Sequence, residues 1–259
     1  MPRTADSARI ADTKKTRPEK NLRQRYGGWA MVVGSAEGMG AAYAERLARE
    51  GFDLVLLDLR KPAVAAQAAK LALEHGVKTR ALACDLSRPA RVAAALDAID
   101  DLEIGLLVFN AAMGSVGPWH EVTLAAKLLA VNVNVIAVLT IADRLSRPML
   151  ERGRGGIVLT SSMAALQGAP LQAVYAATKS FDLILAESLW GELGPRGVDV
   201  LAFIPGMVRT PAFERSGANS GESALLSAIE PTQAVDFMAG SFSSGVGPAA
   251  RCGGGWRGA

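Results

Sequence analysis

Short apolar runs alternate along most of the chain with longer segments in which apolar residues recur at helical spacing. The short runs predict six β-strands, at residues 30–34, 54–58, 79–85, 105–110, 156–162 and 198–204. The longer segments predict helices at residues 38–49, 62–75, 87–99, 123–152 and 172–193. Strands that are apolar on both faces and alternate with helices are typical of a parallel sheet covered on both sides. The pattern therefore predicts an α/β fold, a doubly wound parallel sheet in a single domain.

Local signals place several helix ends. Pro62 suits the first turn of its helix, and Gly76 suits the position just after the end. Ser87 is expected to cap the following helix through its hydroxyl group. Residues 123–152 predict one long helix that ends at Gly153.

The alternation weakens after Pro205. Residues 207–227 are rich in Gly, Ser and Thr, and we interpret them as a mobile substrate loop. Residues 227–238 are interpreted as a helix despite Pro231. The Gly-rich tail, residues 240–259, shows no convincing strand. The domain is thus predicted to cover residues 26–259 and to have an atypical C-terminal end.

Composition and charge limit the classes of protein to consider. Of the 259 residues, 50% are apolar and 20% are charged, which is enough for a substantial core and excludes a disordered chain. Residues 1–25 hold eight basic and three acidic side chains, whereas the rest of the chain holds 20 basic and 22 acidic ones. We therefore interpret residues 1–25 as a basic N-terminal arm, and we expect no nucleic-acid-binding surface on the domain.

The cysteines and histidines form no recognisable site. Cys84 and Cys252 make no disulfide framework, and His75 and His120 lie too far apart in sequence for a zinc motif. Free thiols are typical of a reducing compartment, so we expect a cytoplasmic protein. No apolar stretch is expected to reach the ~18 residues that a membrane helix needs.

The basic arm leaves two alternatives open, a mitochondrial targeting segment and a tether. It lacks the apolar core of a secretory signal, and its acidic residues argue against a mitochondrial targeting segment. A tether to an anionic surface or to nucleic acid is the other alternative, although the arm offers no aromatic side chain for base stacking.

A glycine-rich turn follows the first predicted strand. It contains Gly34, Gly38 and Gly40 in the spacing GxxxGxG and leads into a predicted helix. Glycines let the backbone approach a pyrophosphate, and the helix N-terminus offers N–H groups and a positive dipole end to phosphates. The spacing differs from the common GxGxxG fingerprint, so the motif alone would also fit a tight turn. Its position between a strand and a helix favours dinucleotide binding.

An acidic residue ends the second predicted strand. Asp58 lies 18 residues after Gly40, where a carboxylate can accept hydrogen bonds from both ribose hydroxyls of an adenosine. This carboxylate and that of Glu37 would both repel a 2′-phosphate. Arg60 is the nearby cation that could reverse the preference. We predict that NAD(H) is favoured over NADP(H).

Two further runs make the chain similar to the short-chain dehydrogenase/reductase family, whose members share a Rossmann-type fold. They are the opening run from Tyr26 to Gly34 and the run Tyr175-Ala176-Ala177-Thr178-Lys179. The likeness spans residues 26–213. The opening run and residues 197–200 further resemble the 17β-hydroxysteroid dehydrogenase and 3-ketoacyl-CoA reductase branch of that family.

The resemblance implies roles at particular positions. The implied catalytic residues are Ser162, Tyr175, Lys179 and Asn134, with Ser161 and Asn132 as rival choices. Asp85 is implied at the adenine and Thr210 at the nicotinamide carboxamide. The full set of implied cofactor-binding residues is Gly34, Ser35, Glu37, Gly38, Met39, Gly40, Asp58, Asp85, Leu86, Asn110, Ala111, Tyr175, Lys179, Pro205, Gly206, Val208 and Thr210.

The chemistry of these residue types agrees with the implied roles. Tyr175 and Lys179 are four residues apart and therefore share one helix face. A free phenol is a poor base at neutral pH, and a neighbouring ammonium group favours its ionised form. Tyr175 is thus expected to exchange a proton with the substrate oxygen, and Ser162 to donate a hydrogen bond to it. Lys179 is expected to reach the nicotinamide ribose, and Asn134 to hold a water molecule that relays protons.

The resemblance implies an NAD(P)-dependent oxidoreductase that interconverts a secondary alcohol and a ketone. Residues 113–117, 163–167 and 207–227 supply Met, Val, Leu, Ala and Phe side chains for substrate contacts, which predicts an apolar substrate such as a steroid, a fatty-acyl thioester or a terpenoid. The family also implies a homodimer or homotetramer formed through the helices at residues 123–152 and 172–193.

Some positions depart from the family pattern. Val33 stands where a threonine is usual, and Phe109 and Ala112 replace two residues of the NNAG turn. The methyl group of Ala112 would bring the turn closer to the cofactor. These departures and the tail leave open an alternative, a dinucleotide-binding protein with little or no turnover.

Overall fold

Seven parallel strands form one sheet in the computed structural model of the chain, in the order β3-β2-β1-β4-β5-β6-β7. The strands are β1 (Trp29–Val33), β2 (Asp53–Asp58), β3 (Thr79–Ala83), β4 (Ile104–Phe109), β5 (Gly155–Thr160), β6 (Val198–Pro205) and β7 (Ala249–Cys252). The structure describes residues 21–211, 214, 228–243 and 249–252. Most of the predicted arm, substrate loop and Gly-rich tail therefore lies outside the described residues.

Helices connect the strands and cover both faces of the sheet. They are α1 (Leu22–Tyr26), α2 (Gly38–Arg49), α3 (Lys61–His75), α4 (Pro89–Asp97), α5 (Leu124–Val131), α6 (Ala137–Arg152), α7 (Ala173–Leu193) and α8 (Pro231–Ser243). Because successive strand residues point to opposite faces, Met31 and Val33 enter one core cluster, and Ala30 and Val32 enter the other. The predicted doubly wound α/β domain is confirmed.

The order of the strands reverses between β1 and β4, which pair side by side at the centre of the sheet. Open α/β sheets bind ligands beyond the carboxyl ends of their strands at such a switch point. Gly34 directly follows β1, and Asn110 directly follows β4. The topology therefore brings the predicted glycine-rich turn to the place where a ligand site is expected.

The C-terminal part of the described chain corrects two expectations. The Gly-rich tail does contain a strand, because β7 pairs in parallel with β6, with Ala249 opposite Ala202 and Cys252 opposite Pro205. The run Ala-Ala-Arg-Cys contains no β-branched or aromatic residue and so carries little strand signal, and the edge offered by β6 supplies the pairing. The preceding helix begins at Pro231, a residue suited to a first helical turn.

The predicted long helix is interrupted. A π-helical turn, Asn132–Ile136, separates α5 from α6, and Asn134 is fully buried inside it. Extra-wide turns of this kind cost hydrogen-bond geometry and are frequent at functional sites. The prediction of one uninterrupted helix was wrong because a buried side chain, rather than helical periodicity, determines the backbone here.

The same segment also corrects the expectation about apolar length. Leu124–Arg152 spans 29 residues and contains an 18-residue window that is apolar enough, by length and composition, to cross a membrane. Of that window, 28% is buried inside the protein. A helix packed in the core of a soluble protein meets the same criterion, so the match alone assigns no membrane span.

Candidate active site

The glycine-rich turn folds into a close-packed cradle. Gly34 has a φ of 80°, and a Cβ there would lie 2.7 Å from Cα of Ala111. A Cβ at Gly40 would collide with the carbonyl group of Gly34. Gly38 has a φ of 56°, and a Cβ there would lie 3.1 Å from Thr210. Glycine is therefore required at all three positions, and the turn brings Thr210, beyond β6, to the same site.

The first turn of α2 points its backbone N–H groups into this region. Glu37 is the N-cap residue, and its side chain makes no capping hydrogen bond. Helix N-termini with N–H groups not used by a cap are suited to phosphate. Ser35 is buried and donates its hydroxyl to the Leu57 carbonyl, so its side chain stabilises the turn. Met39 packs against the core. These residues fit a dinucleotide.

A network of charges surrounds the end of β2. The Asp58 carboxylate accepts hydrogen bonds from the backbone N–H groups of Ala36, at 3.0 Å, and of Arg60, at 3.1 Å. The Arg60 guanidinium lies 2.9 Å from the Glu37 carboxylate and 3.6 Å from that of Asp58. Arg60 is thus held by Glu37 of the glycine-rich turn and by Asp58, the carboxylate that the sequence predicts at the adenosine ribose.

Asp85 lies beyond the end of β3 and is held by its own loop. It accepts hydrogen bonds from the backbone N–H and the hydroxyl of Ser87, at 3.0 Å and 2.6 Å. The hydroxyl of Ser87 is the largest influence that holds the pKa of Asp85 below its ordinary value. The prediction that Ser87 caps the next helix was wrong, because that helix begins at Pro89 and Arg88 is its N-cap residue. The neighbouring Leu86 is buried.

The turn after β4 closes the cradle from the other side. The backbone N–H groups of Asn110 and Ala111 both donate to the carbonyl of Val33, at 3.0 and 2.9 Å. The side-chain amide of Asn110 donates to the carbonyl of Gly34 at 3.3 Å. These bonds tie the β4 turn to the glycine-rich turn, as the implied roles of Asn110 and Ala111 require.

The segment after β6 reaches the same site. Pro205 ends β6, and Gly206 follows it directly. Val208 is buried and forms an isolated parallel bridge with Ile229. Together with the contact between Thr210 and the glycine-rich turn, this bridge fixes the segment beside the cradle.

The two adjacent serines after β5 have different roles. Ser161 is buried and donates its hydroxyl to the backbone carbonyl of Lys179 at 2.7 Å. Ser162 is only partly buried, and its hydroxyl accepts a hydrogen bond from the backbone N–H of Ala164 at 3.2 Å. The hydroxyl of Ser162 keeps its proton for a further acceptor, which favours Ser162 over Ser161 as the residue that contacts a substrate.

The helix α7 carries Tyr175 and Lys179 one turn apart. Tyr175 is half-buried, whereas Lys179 is buried. The Lys179 ammonium donates hydrogen bonds to the backbone carbonyl of Thr160 at 2.7 Å and to the carboxylate of Asp182 at 2.8 Å. Asp182 did not emerge from the sequence, although its place three residues after Lys179 on one helix face was a signal for it.

Asn134 links three elements of the site. Its side-chain amide donates to the carbonyl of Met113 and to the hydroxyl of Thr178, and its oxygen accepts from the N–H of Met113. Asn132 is only partly buried, so the structure favours Asn134 as the residue implied by the family. Because the amide protons of Asn134 are already used, its side chain positions the loop after β4 and α7, and donates to no additional water.

A pocket of about 500 Å³ lies between residues 165–169 and α7. Its helical lining residues are Ala173, Ala176, Ala177 and Ser180. At 100° per residue these side chains lie on the opposite face of α7 from Tyr175 and Lys179. This pocket is therefore separate from the site that those two residues define.

Three features together define a dinucleotide-dependent oxidoreductase site. They are a glycine cradle at the switch point, the acidic and amide groups around it, and a Ser, Tyr and Lys group beyond β5 and on α7. The profile of the family described as "short chain dehydrogenase" matches residues 28–221. The chain belongs to this family.

Relatives and solved structures agree. The 7beta-hydroxysteroid dehydrogenase of Collinsella aerofaciens is 28% identical over 218 residues, which cover 83% of each chain. A very-long-chain 3-oxoacyl-CoA reductase-like protein of Arabidopsis thaliana is 36% identical over 195 residues, 72% of this chain and 62% of that protein.

Among solved structures, one described as giving insights into 7beta-hydroxysteroid dehydrogenase stereoselectivity has a TM-score of 0.83 and 26% identity and covers 90% of both chains. A short-chain dehydrogenase from Sphingobium yanoikuyae in complex with NADPH has a TM-score of 0.80 and 32% identity, over 87% of this chain and 86% of that one.

The family and its relatives establish the class of reaction. The chain is an NAD(P)-dependent oxidoreductase that acts on CH–OH groups and interconverts a secondary alcohol and a ketone. The predicted family, Rossmann-type fold and enzyme class are confirmed.

Proposed function

We propose that this enzyme reduces a bulky apolar ketone, or oxidises the matching alcohol, with Tyr175 as the general acid or base. The observation that carries the proposal is the grouping of Tyr175, Lys179 and Ser162 beyond the carboxyl end of β5, next to the glycine cradle. When bound, the nicotinamide supplies or accepts the hydride. The protein then has to orient the substrate and move one proton.

Each catalytic side chain has a separate task in this proposal. In ketone reduction, Tyr175 donates its phenolic proton to the substrate oxygen, and in alcohol oxidation it accepts that proton. Ser162 donates a hydrogen bond to the same oxygen and stabilises the charge that develops on it. Lys179 supplies a positive charge one helical turn away, which favours the ionised phenol. Asn134 positions the loop after β4 against α7.

Exposed apolar side chains around the site support a bulky apolar substrate. They come from the loop after β4, the segment after β5 and the start of the segment after β6, and they are Val116, Met163, Leu171 and Met207. Exposed apolar surface of this kind marks a binding region for an apolar partner. Together with the likeness to the 7beta-hydroxysteroid dehydrogenase of C. aerofaciens, this exposed apolar surface favours a steroid over an acyl or terpenoid substrate.

The charges at β2 support NAD(H) over NADP(H). A 2′-phosphate would have to approach the carboxylates of Asp58 and Glu37, and Arg60 is already paired with both. The similar short-chain dehydrogenase from Sphingobium yanoikuyae was solved with NADPH, so the likeness to known structures does not itself support NAD(H). The preference therefore rests on these local charges in the present chain.

The remaining expectations concern assembly and location. Leu128, Leu139, Ile184 and Trp190 are exposed apolar residues on α5, α6 and α7, which supports a homodimer or homotetramer formed through these helices. We further propose a cytoplasmic enzyme with a single domain, residues 26–259, preceded by the basic arm of residues 1–25.

Replacing Tyr175 by Phe tests the proposal. The change removes one oxygen, so ketone reduction is expected to fall by about 10²–10⁴-fold, while the dissociation constant of the reduced cofactor changes little. A screen of steroid, acyl and terpenoid ketones with NADH and NADPH supplies the substrate. Hydride transfer that survives within about tenfold in the variant would show that another group moves the proton.

A further inference from the structure

The helix α7 carries a second charged residue that the mechanism above does not use. Asp182 is 1% exposed, and its carboxylate lies 2.8 Å from the ammonium of Lys179, which is 2% exposed. Both charges are withdrawn from water. A buried ion pair contributes little net stability compared with apolar side chains of similar size, so its presence calls for another reason.

The surroundings of the pair are otherwise uncharged in the part of the chain that the structure describes. The Lys179 ammonium bonds to the uncharged carbonyl of Thr160 at the end of β5, and Thr178, the next residue along α7, accepts a hydrogen bond from the amide of Asn134. Lys179 is the one described charge that acts on Asp182, and burial still raises the pKa of that carboxyl. One carboxylate oxygen of Asp182 is buried without a hydrogen-bond partner among the described residues. Among the described residues, the ammonium is therefore the charged partner that opposes this rise in the pKa of Asp182.

The geometry fixes the direction of the ammonium. Side chains on a helix lean toward its N-terminus, so the Asp182 side chain reaches back by one turn to meet Lys179. An ammonium has three N–H donors, and two of them are used, by the Thr160 carbonyl and by Asp182. One donor remains, and the two fixed bonds determine where it can point.

We propose that Asp182 is a positioning residue for the reaction. It holds the Lys179 ammonium charged and in one orientation at the cofactor site, without itself touching substrate or cofactor. This inference rests on the proposed function, because it takes Lys179 as the residue through which Asp182 acts. It assigns a role to a carboxylate outside the residues that the family resemblance implied.

A double-mutant cycle separates this role from a structural one. We would compare the wild type with Asp182→Asn, Lys179→Met and the double variant, all corrected for the folded fraction. Two quantities are measured. The first is the dissociation constant of NADH or NADPH, whichever of the two the wild type binds more tightly, and the second is kcat/KM for ketone reduction. Glu192→Gln is the matched control, because it removes an exposed carboxylate from the same helix.

The expected result is strong coupling between the two positions. Asp182→Asn is expected to lower kcat/KM by about 20-fold or more and to weaken cofactor binding by about fivefold or more. When Lys179 is already Met, the same change is expected to cost less than about twofold in either quantity. The control should stay within about twofold of the wild type. If the loss from Asp182→Asn is the same in both backgrounds, or if that variant binds the cofactor more tightly, the proposal is overturned.

The pH profile gives a readout that a packing defect would not change. An ammonium that no carboxylate opposes makes a nearby phenol release its proton at lower pH. Ketone reduction needs the protonated phenol as its proton donor, so its alkaline limb then moves to lower pH. In Asp182→Asn we expect this limb to move down by about one pH unit or more. An unmoved limb would contradict the proposal.

The experiment also distinguishes this inference from the proposed function. If the wild type reduces none of the ketones, the proposed function fails, and the cofactor-binding cycle still decides the coupling. If Asp182→Asn does not fold, Lys179→Met with Asp182→Leu replaces a charged pair by an apolar one and can be compared with Lys179→Met alone. A cofactor-binding loss in that comparison of more than about twofold would overturn the positioning role.

Discussion

The cofactor preference can be tested by removing one charge at the end of β2. Asp58→Asn keeps the shape of the side chain and one oxygen that can accept the hydrogen bonds from the backbone N–H groups of Ala36 and Arg60. It removes the negative charge that a 2′-phosphate would meet, and it releases part of the hold on the Arg60 guanidinium, which lies 3.6 Å from Asp58. NADPH is therefore expected to gain relative to NADH.

The size of the gain follows from the charges. Two unit charges about 5 Å apart interact by about 1.3 kcal/mol at an effective dielectric constant of about 50, which suits this partly exposed site. A phosphate monoester carries a charge of about −1.5 to −2 at neutral pH, so removing the Asp58 charge relieves about 2–2.5 kcal/mol. This corresponds to about a 30- to 70-fold rise in the ratio of kcat/KM for NADPH to that for NADH.

The assay measures kcat/KM for both cofactors with one ketone, at low and at high ionic strength. Because the charges are partly exposed, salt should reduce the effect. Asp53→Asn is the matched control, since Asp53 begins the strand that Asp58 ends and its carboxylate accepts a hydrogen bond from the backbone N–H of Lys78. Five residues of strand separate the two carboxylates by about 17 Å, beyond the reach of the cofactor ribose.

Two results would refute this reasoning. The first is a ratio that changes by less than about threefold in Asp58→Asn, because the charge would then not face the 2′ position. The second is an equal change in Asp53→Asn, because the effect would then arise from net charge and not from position.

Two further predictions concern the glycine cradle and the acid side of the stability profile. Gly40→Ala is expected to abolish cofactor binding, because its Cβ would collide with the Gly34 carbonyl. Gly191→Ala lies inside α7, where a Cβ meets nothing within 4 Å, and is expected to raise the free energy of unfolding by about 0.5–1 kcal/mol. Cofactor titration checks the first prediction, and urea unfolding checks the second. The lowered pKa of Asp85 means that its carboxylate contributes stability above its ordinary pKa and loses it as pH falls through the folded value. Ser87→Ala is expected to raise the pKa of Asp85 and to reduce the loss of stability at acid pH. NMR titration follows the pKa, and unfolding at a series of pH values follows the stability. An unchanged titration of Asp85 would show that Ser87 does not cause the lowered pKa.

Much of the site could be predicted because its residues sit at ends of elements that the sequence marks clearly. Gly34 follows one buried apolar strand and Asp58 ends another. Parallel strands bring their carboxyl ends to one edge of the sheet. Tyr175 and Lys179 share a helix face by spacing alone. For these residues, local pattern and global fold agree.

Other features depend on partners that are distant in sequence. The strand β7 forms because β6 offers it an edge, and its four residues alone do not specify a strand. The π-helical turn forms around Asn134, whose side chain bonds to Met113, 21 residues earlier. Ser87 donates its hydroxyl to Asp85, and the next helix begins one residue later than the sequence predicts, with Arg88 as its N-cap residue.

Taken alone, the sequence determined the alternating α/β architecture, the glycine-rich turn and the tyrosine and lysine on one helix face, because these depend on periodicity and spacing within single elements. The tertiary structure decided which serine stays accessible, how Arg60 is paired and that Lys179 is held by Asp182 and Thr160. These features depend on burial and on distances between elements, and no local pattern records which polar groups lose their access to water when the elements pack together.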